Sequence, residues 1–145
     1  EIPLRLVGSE MCIRDRVKAD AVVIDATNYF PSRDGERSEL TSHQIASSQL
    51  VAQHFGTKKV VKAFNTIAMT KIRSLAKPNQ PAGRIAIPIA GDDAAAKKTV
   101  TALIEKIGFD VVDLGDLANS YPAQADGPLF LFTGDADQVR AQANK

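Results

Sequence analysis

The sequence has no tryptophan, one cysteine and two histidines. Cys12 alone cannot close an intrachain disulfide, and no Cys/His spacing suited to a metal occurs. Apolar stretches are interrupted far short of the roughly 20 residues that a spanning helix needs. Charge is short of either sign: 18 Lys and Arg against 17 Asp and Glu leave a net +1. Such a balance gives no field that would draw the chain to nucleic acid or to a membrane surface. Glu1, Arg5, Glu10, Arg14, Asp15 and Arg16 leave no apolar core for a secretory signal, so the expected location is cytoplasmic. Phosphate loops are missing too. None of the nine glycines falls in G-x-G-x-x-G, and no G-x-x-x-x-G-K-[ST] is present.

What remains is ordinary for one globular domain: 145 residues, 44% hydrophobic and 24% charged. The run Glu10-Met11-Cys12-Ile13-Arg14-Asp15-Arg16 resembles a translated adapter sequence, so residues 1–16 are expected to be foreign to the domain, with a genuine N-terminal arm as the alternative. From there strand-like and helix-like runs alternate. Ala21-Val22-Val23-Ile24-Asp25 predicts a strand buried on both faces, stopped by Thr27-Asn28. Pro31 and Asp34-Gly35 mark a loop. A helix is predicted over 41–55, started by a capping box at Thr41-Ser42-His43-Gln44 and closed by Gly56. Lys59 to Phe64 reads as the second strand, and 69–83, with Pro78 and Pro81, as a long loop holding a short helical turn.

Arg84 to Gly91 predicts the third strand, in which Pro88 demands an edge, a bulge or an end. Asp92 or Asp93 caps the clearest helix, whose apolar face is Val100, Leu103, Ile104 and Ile107 and whose stop is Gly108. Phe109 to Gly115 follows as a fourth strand. A helix between these two strands predicts a parallel, right-handed βαβ unit. Leu129-Phe130-Leu131-Phe132 is apolar but unplaced, and Ala136 to Lys145 shows a weak helical pattern. The fold class is α/β, a doubly wound parallel sheet of Rossmann-like type, expected to be truncated at its N-terminus.

Ligands of open parallel sheets sit beyond the carboxyl ends of the strands. Two such ends carry Asn and Thr, at Thr27-Asn28 and at Asn65-Thr66. An Asn side chain offers an acceptor and a donor together, which suits a carboxamide, although Asn and Thr also serve loop backbones. Gly91-Asp92-Asp93 reads as a helix cap, since carboxylates there would repel phosphate. His43 and His54 read as surface or half-buried helix residues rather than bases, Ser47 and Ser48 lack a nucleophile-elbow setting, and Lys58, Lys59 and Lys62 read as a solvated edge.

Five segments in order carry a resemblance: Val23 to Tyr29, Ser47 to Val51, Lys59 to Ile67, Ala90 to Ala94, and Ile107 to Gly115. Together they resemble the second half of the NADP oxidoreductases related to coenzyme-F420-dependent NADP reductase, over residues 19–118. The resemblance implies residues 17–118 as the C-terminal part of an NAD(P)-binding domain and 119–145 as a C-terminal extension. It implies hydride transfer between NADP(H) and a deazaflavin (coenzyme F420), a flavin or another small acceptor, without a side-chain general acid. It also implies that Thr27, Asn28, Asn65, Thr66, Ile67 and Ala68 line the nicotinamide side, while the pyrophosphate and 2′-phosphate sites would lie upstream of residue 17. The alternatives are a non-catalytic nucleotide-binding regulatory domain and an inactive fragment. The expected partner is a small-molecule substrate or hydride carrier, and an uncovered edge at Ala21 to Asp25 would invite a homodimer.

Overall fold

A computed structural model describes residues 15–145. The expectation of a foreign segment over 1–16 therefore falls, but for Asp15 and Arg16, outside the described residues. Four strands form one sheet in the order β1-β2-β3-β4: β1 Val23–Asp25, β2 Val60–Lys62, β3 Ala86–Gly91 and β4 Asp110–Asp113. β1 and β2 run parallel, with Asp25 opposite Lys62, and β3 and β4 run parallel, with Pro88 opposite Val112. The parallel β3–β4 pair is the one predicted from its connecting helix.

The sheet is the expected doubly wound α/β type and mostly parallel, with one antiparallel junction. β2 and β3 pair antiparallel, Val61 against Gly91 and Lys62 against Ala90. A parallel neighbour needs a crossover, usually helical. Between β2 and β3 the chain provides only a 3-10 turn at Met69–Lys71 and the short helix α4, Ile72–Leu75. The loop then closes on itself, Arg84 Nε donating to the carbonyls of Lys77 and Gln80.

Alternation along the strands separates two cores. Ile87 and Ile89 of β3 and Val61 of β2 face helix α5, Ala94–Ile107, and pack with Ala96, Val100, Ile104 and Phe109. Ala86 and Val112 face the other way, where Leu129 and Val139 of helix α6, Ala136–Ala143, cover them. Each fully buried Ile or Leu here stabilises the fold by about 1.5–3 kcal/mol. The apolar run at 129–132, unplaced from sequence, is thus a turn that plugs the second core through Leu129. Leu103, expected on the buried face of α5, is 42% exposed; the residues the helix buries are Ala96, Val100 and Ile104.

Pro88 stands inside β3 rather than at its end. Ala86 donates to Gly134 O and Gly91 donates to Gly115 O on opposite sides of the strand. Pro88 has the parity of Ala86, so its nitrogen turns to the side where β2 reaches only Ala90 and Gly91.

α5 starts and stops as predicted. The Asp93 carboxylate accepts from Ala96 N at 2.7 Å, and Gly108 ends the helix at φ 116°. A Cβ on Gly108 would lie 2.4 Å from the Lys77 carbonyl carbon and the Pro78 nitrogen, so only glycine fits.

The helix expected over 41–55 is broken. A short helix α2, Ser38–Thr41, ends before His43, whose φ of 56° lies in the left-handed region, and α3 runs over Ser47–Phe55. The capping box at 41–44 is absent. Its Gln half appears one turn later, where Gln49 Oε1 accepts from Ala46 N at 2.8 Å; Ala46 has no side-chain oxygen, and its carbonyl accepts from Gln49 N at 2.9 Å instead. One further helix, α1 at Pro31–Asp34, precedes α2 and uses Pro31 in its first turn.

Candidate functional site

Parallel pairing puts the carboxyl ends of β1 and β2 side by side, and this brings the two Asn endings together. Asn28 Nδ2 donates to Asn65 O at 3.2 Å, and Asn65 Nδ2 donates to Asn28 Oδ1 at 3.1 Å. Asn65 Nδ2 donates also to Ala123 O, so the strand end is bolted to the tail. Its Oδ1 is buried without a hydrogen-bond partner. Phe64, just before it, is held at φ 66°, a conformation costing a non-glycine residue on the order of 1–3 kcal/mol. Strain of this kind persists only where the surroundings fix it.

The six residues singled out from sequence separate by burial. Thr27 is exposed, and Asn28 and Ala68 are half-buried. Asn65, Thr66 and Ile67 are interior. Only the first three are accessible from outside the sheet, and of the six only Asn28 lines the cleft beside these strand ends.

A second group lies directly below. Asp25 ends β1 and Lys62 ends β2 in matching register, and the side chains of both are at most 1% exposed. Val61 faces α5, so Lys62 faces the opposite side, beneath α3. Asp25 Oδ1 accepts from Thr27 N at 3.0 Å and Thr27 Oγ1 at 2.6 Å, and its Oδ2 accepts from Ser48 Oγ of α3. Lys62 Nζ donates to Thr27 O at 3.2 Å and stands 3.8 Å from Asp25 Oδ2. Burial lowers the Lys62 pKa from its ordinary 10.5, and the charge of Asp25 opposes that shift.

This corrects the reading of Lys62 as part of a solvated edge. Lys58 is exposed and Lys59 half-buried, but Lys62 belongs to the interior. Ser48 likewise proves to be a buried hydrogen-bond donor. From sequence only the two charged strand ends, Val-Ile-Asp and Val-Val-Lys, are visible; that they lie at equivalent positions of adjacent parallel strands is a fact of the fold.

A cleft of about 130 Å³ opens beside these residues. Tyr29, Phe30, Pro31 and Leu40 make its apolar wall, and Asn28 and Lys62 contribute its polar lining on the sheet side. The tail closes the far side through Gln124, Ala125 and Asp126. Gln124 Oε1 accepts from Ser47 N at 3.0 Å, and Asp126 Oδ2 lies 2.7 Å from His43 Nε2. His43 is therefore a surface residue, as expected, but in a turn rather than on a helix, with its ring 4.1 Å from that of Tyr121. At the outer rim Arg33 donates to Asn28 O and to Asp34, whose carboxyl it holds down at about 2.

Gly91-Asp92-Asp93 is a cap, as read from sequence. Asp92 Oδ1 accepts from Leu117 N at 2.9 Å while Asp93 caps α5. Among the described residues no group of three or more His, Cys, Asp or Glu side chains could hold a metal ion. No helix among them is long and apolar enough to cross a membrane.

No family model matches the chain. It is 29% identical to metalloreductase STEAP3 of Rattus norvegicus over 117 residues, which are 81% of this chain and 22% of that protein. Among solved structures, a hypothetical protein from Sinorhizobium meliloti is 32% identical and superposes with a TM-score of 0.67, over 88% of this chain and 62% of that one. A putative F420-dependent NADP-reductase from Arthrobacter sp. FB24 is 34% identical over 52% of this chain and 34% of that one, with a TM-score of 0.43. The chain thus spans less than two thirds of the length of each of these proteins. The fold is a Rossmann-like α/β sheet flanked by helices.

Proposed function

We propose that this chain, kin to the NADP oxidoreductases its five segments resemble, carries the nicotinamide side of an NADP(H)-dependent oxidoreductase of the coenzyme-F420-dependent NADP reductase type. The reaction is hydride transfer between NADP(H) and a deazaflavin, a flavin or a small conjugated acceptor. The observation that carries this reading is the reciprocal Asn28–Asn65 bonding at two adjacent parallel strand ends beside a cleft. Sheets of this class bind their ligands at such ends. The name of the rat relative, a reductase, supports the reaction class.

Thr27, Asn28 and Ala68 border the nicotinamide carboxamide in this reading. Asn65, Thr66 and Ile67 act from beneath, Asn65 by fixing the amide of Asn28. NADP(H), when bound, supplies the hydride; the residues of this chain orient the ring and keep water from it. Direct transfer between two flat carriers needs alignment rather than a proton donor, which suits a cleft without a histidine in its wall.

The test joins this chain to the part of the Sinorhizobium meliloti protein that it does not span and follows NADPH consumption with riboflavin, FMN or a deazaflavin. Turnover that Asn28→Ala lowers by about tenfold or more supports the reading. A chimaera that binds NADPH and reduces none of these acceptors points instead to a regulatory nucleotide-binding domain.

A further inference from the structure

The cleft holds one group that the alignment of a nicotinamide ring does not use. Lys62 Nζ is a cation with three N–H bonds. One goes to Thr27 O at 3.2 Å. Asp25 does not take a second, because its nearer oxygen is 3.8 Å away, beyond hydrogen-bond reach. The Asp25 carboxylate is already occupied by Thr27 N, Thr27 Oγ1 and Ser48 Oγ. The ammonium is thus charge-compensated but short of acceptors. Its side chain is 1% exposed, and the cleft is what it borders.

Tyr29, Phe30, Pro31 and Leu40 flank that cation with apolar surface. The one carboxylate at the cleft, Asp126, is turned to His43 at 2.7 Å on the rim. A flat ring between apolar walls, with an oxygen reaching inward to an ammonium, satisfies both halves of the site. The ordinary alternative is that Lys62 is only a buried counter-ion of Asp25. In that case a direct Asp25–Lys62 hydrogen bond would be expected, and none is observed: the nearer Asp25 oxygen stands 3.8 Å from Nζ, while the buried Lys62 side chain lines the cleft.

We propose that Lys62 anchors the second reactant, and that the cleft takes a flat conjugated molecule whose carboxylate, enolate or carbonyl oxygen accepts a hydrogen bond from Nζ. Its role as the acceptor's site rests on the oxidoreductase reading; the binding itself does not. For a conjugated carbonyl acceptor, hydride arriving from NADPH on carbon drives a π pair on to the oxygen and leaves NADP⁺. The negative charge then develops where the ammonium stands, and charge-assisted hydrogen bonds are the strong ones.

The experiment titrates the full chain with benzoate and with benzamide, which share a ring and differ in the charge of the oxygen group. Binding is followed by NMR shifts of Tyr29, Phe30, Leu40 and Asn28. Benzoate is expected to bind at least about tenfold more tightly than benzamide. Lys62→Met is expected to lose that preference and to keep benzamide within about threefold. Because Lys62→Met leaves Asp25 buried without a cation, Asp25→Asn/Lys62→Met, neutral at both positions, is the second variant, with the same expectation. Equal affinity of the native chain for the two probes, or benzoate shifts away from the cleft, overturns the inference without any variant. So does benzoate preference surviving in either folded variant. Benzoate held through Lys62 in a protein that never consumes NADPH would refute the oxidoreductase reading and leave the anion site standing.

Discussion

Replacing Asp25 by alanine is the sharpest perturbation of the strand-end network. The carboxylate is fully buried, accepts three hydrogen bonds and supplies the nearest negative charge to Lys62, 3.8 Å away. Truncation strands the ammonium in the interior, and removing one partner of a buried pair costs about 3–5 kcal/mol. The Ser48 hydroxyl, also fully buried, loses its acceptor and adds about 1 kcal/mol. Thr27 is exposed and rehydrates, so it adds little. Against a total stability of about 5–15 kcal/mol, Asp25→Ala should bring the domain close to unfolding. Asp25→Ala/Lys62→Met should recover most of the loss, because no unpaired charge remains buried. Urea unfolding followed by circular dichroism, with linear extrapolation to water, measures all three proteins. A single variant within about 1 kcal/mol of the native chain, or a double variant no more stable than the single one, would refute the reasoning.

Three further outcomes follow from particular residues. Gly108→Ala should destabilise by roughly 2–4 kcal/mol, since the new Cβ would collide with the Lys77–Pro78 backbone at 2.4 Å and φ is 116°; the urea midpoint should fall with its slope unchanged. Asp93→Ala should cost about 1 kcal/mol through the lost bond to Ala96 N, read as a lower thermal midpoint, and Asp93→Asn should restore most of it. Lys62 has a folded pKa below 10.5, so between that lowered value and 10.5 the unfolded chain binds more protons than the folded one. Stability should therefore rise with pH through this window, and the rise should vanish in Lys62→Met, as urea midpoints across alkaline pH would report.

Where chemistry was local, the sequence was legible. The α5 helix, its Asp93 cap and its Gly108 stop sit in one stretch of chain, and the parallel β3–β4 pair follows from the length of helix between its strands. The Asn28 and Asn65 endings were readable for the same reason, because each follows a short apolar run. Their reciprocal hydrogen bonds were not, since these depend on β1 and β2 being neighbours. Lys62 was misread because a lysine in a basic cluster looks solvated until the strand's parity and the position of Asp25 are both known. The break at His43 needed the long-range pairing with Asp126, and the closure of the cleft by 123–126 needed a tail whose own pattern is weak. The antiparallel β2–β3 junction could have been suspected, since prolines and poor periodicity deny 69–83 a crossover helix.

The nicotinamide reading is most directly tested by titrating the chain with nicotinamide and with NADPH under NMR observation, assigning the Asn28 side-chain amide, Thr27 and Ala68. Saturable shifts are expected at these three residues, and in Asn28→Ala those of Thr27 and Ala68 should disappear while the fold, judged from Ile87, Ile104 and Phe109, stays intact. If nicotinamide and NADPH leave the ends of β1 and β2 unmoved, or shift another surface instead, the placement of the cofactor's reactive half at Asn28 and Asn65 is wrong.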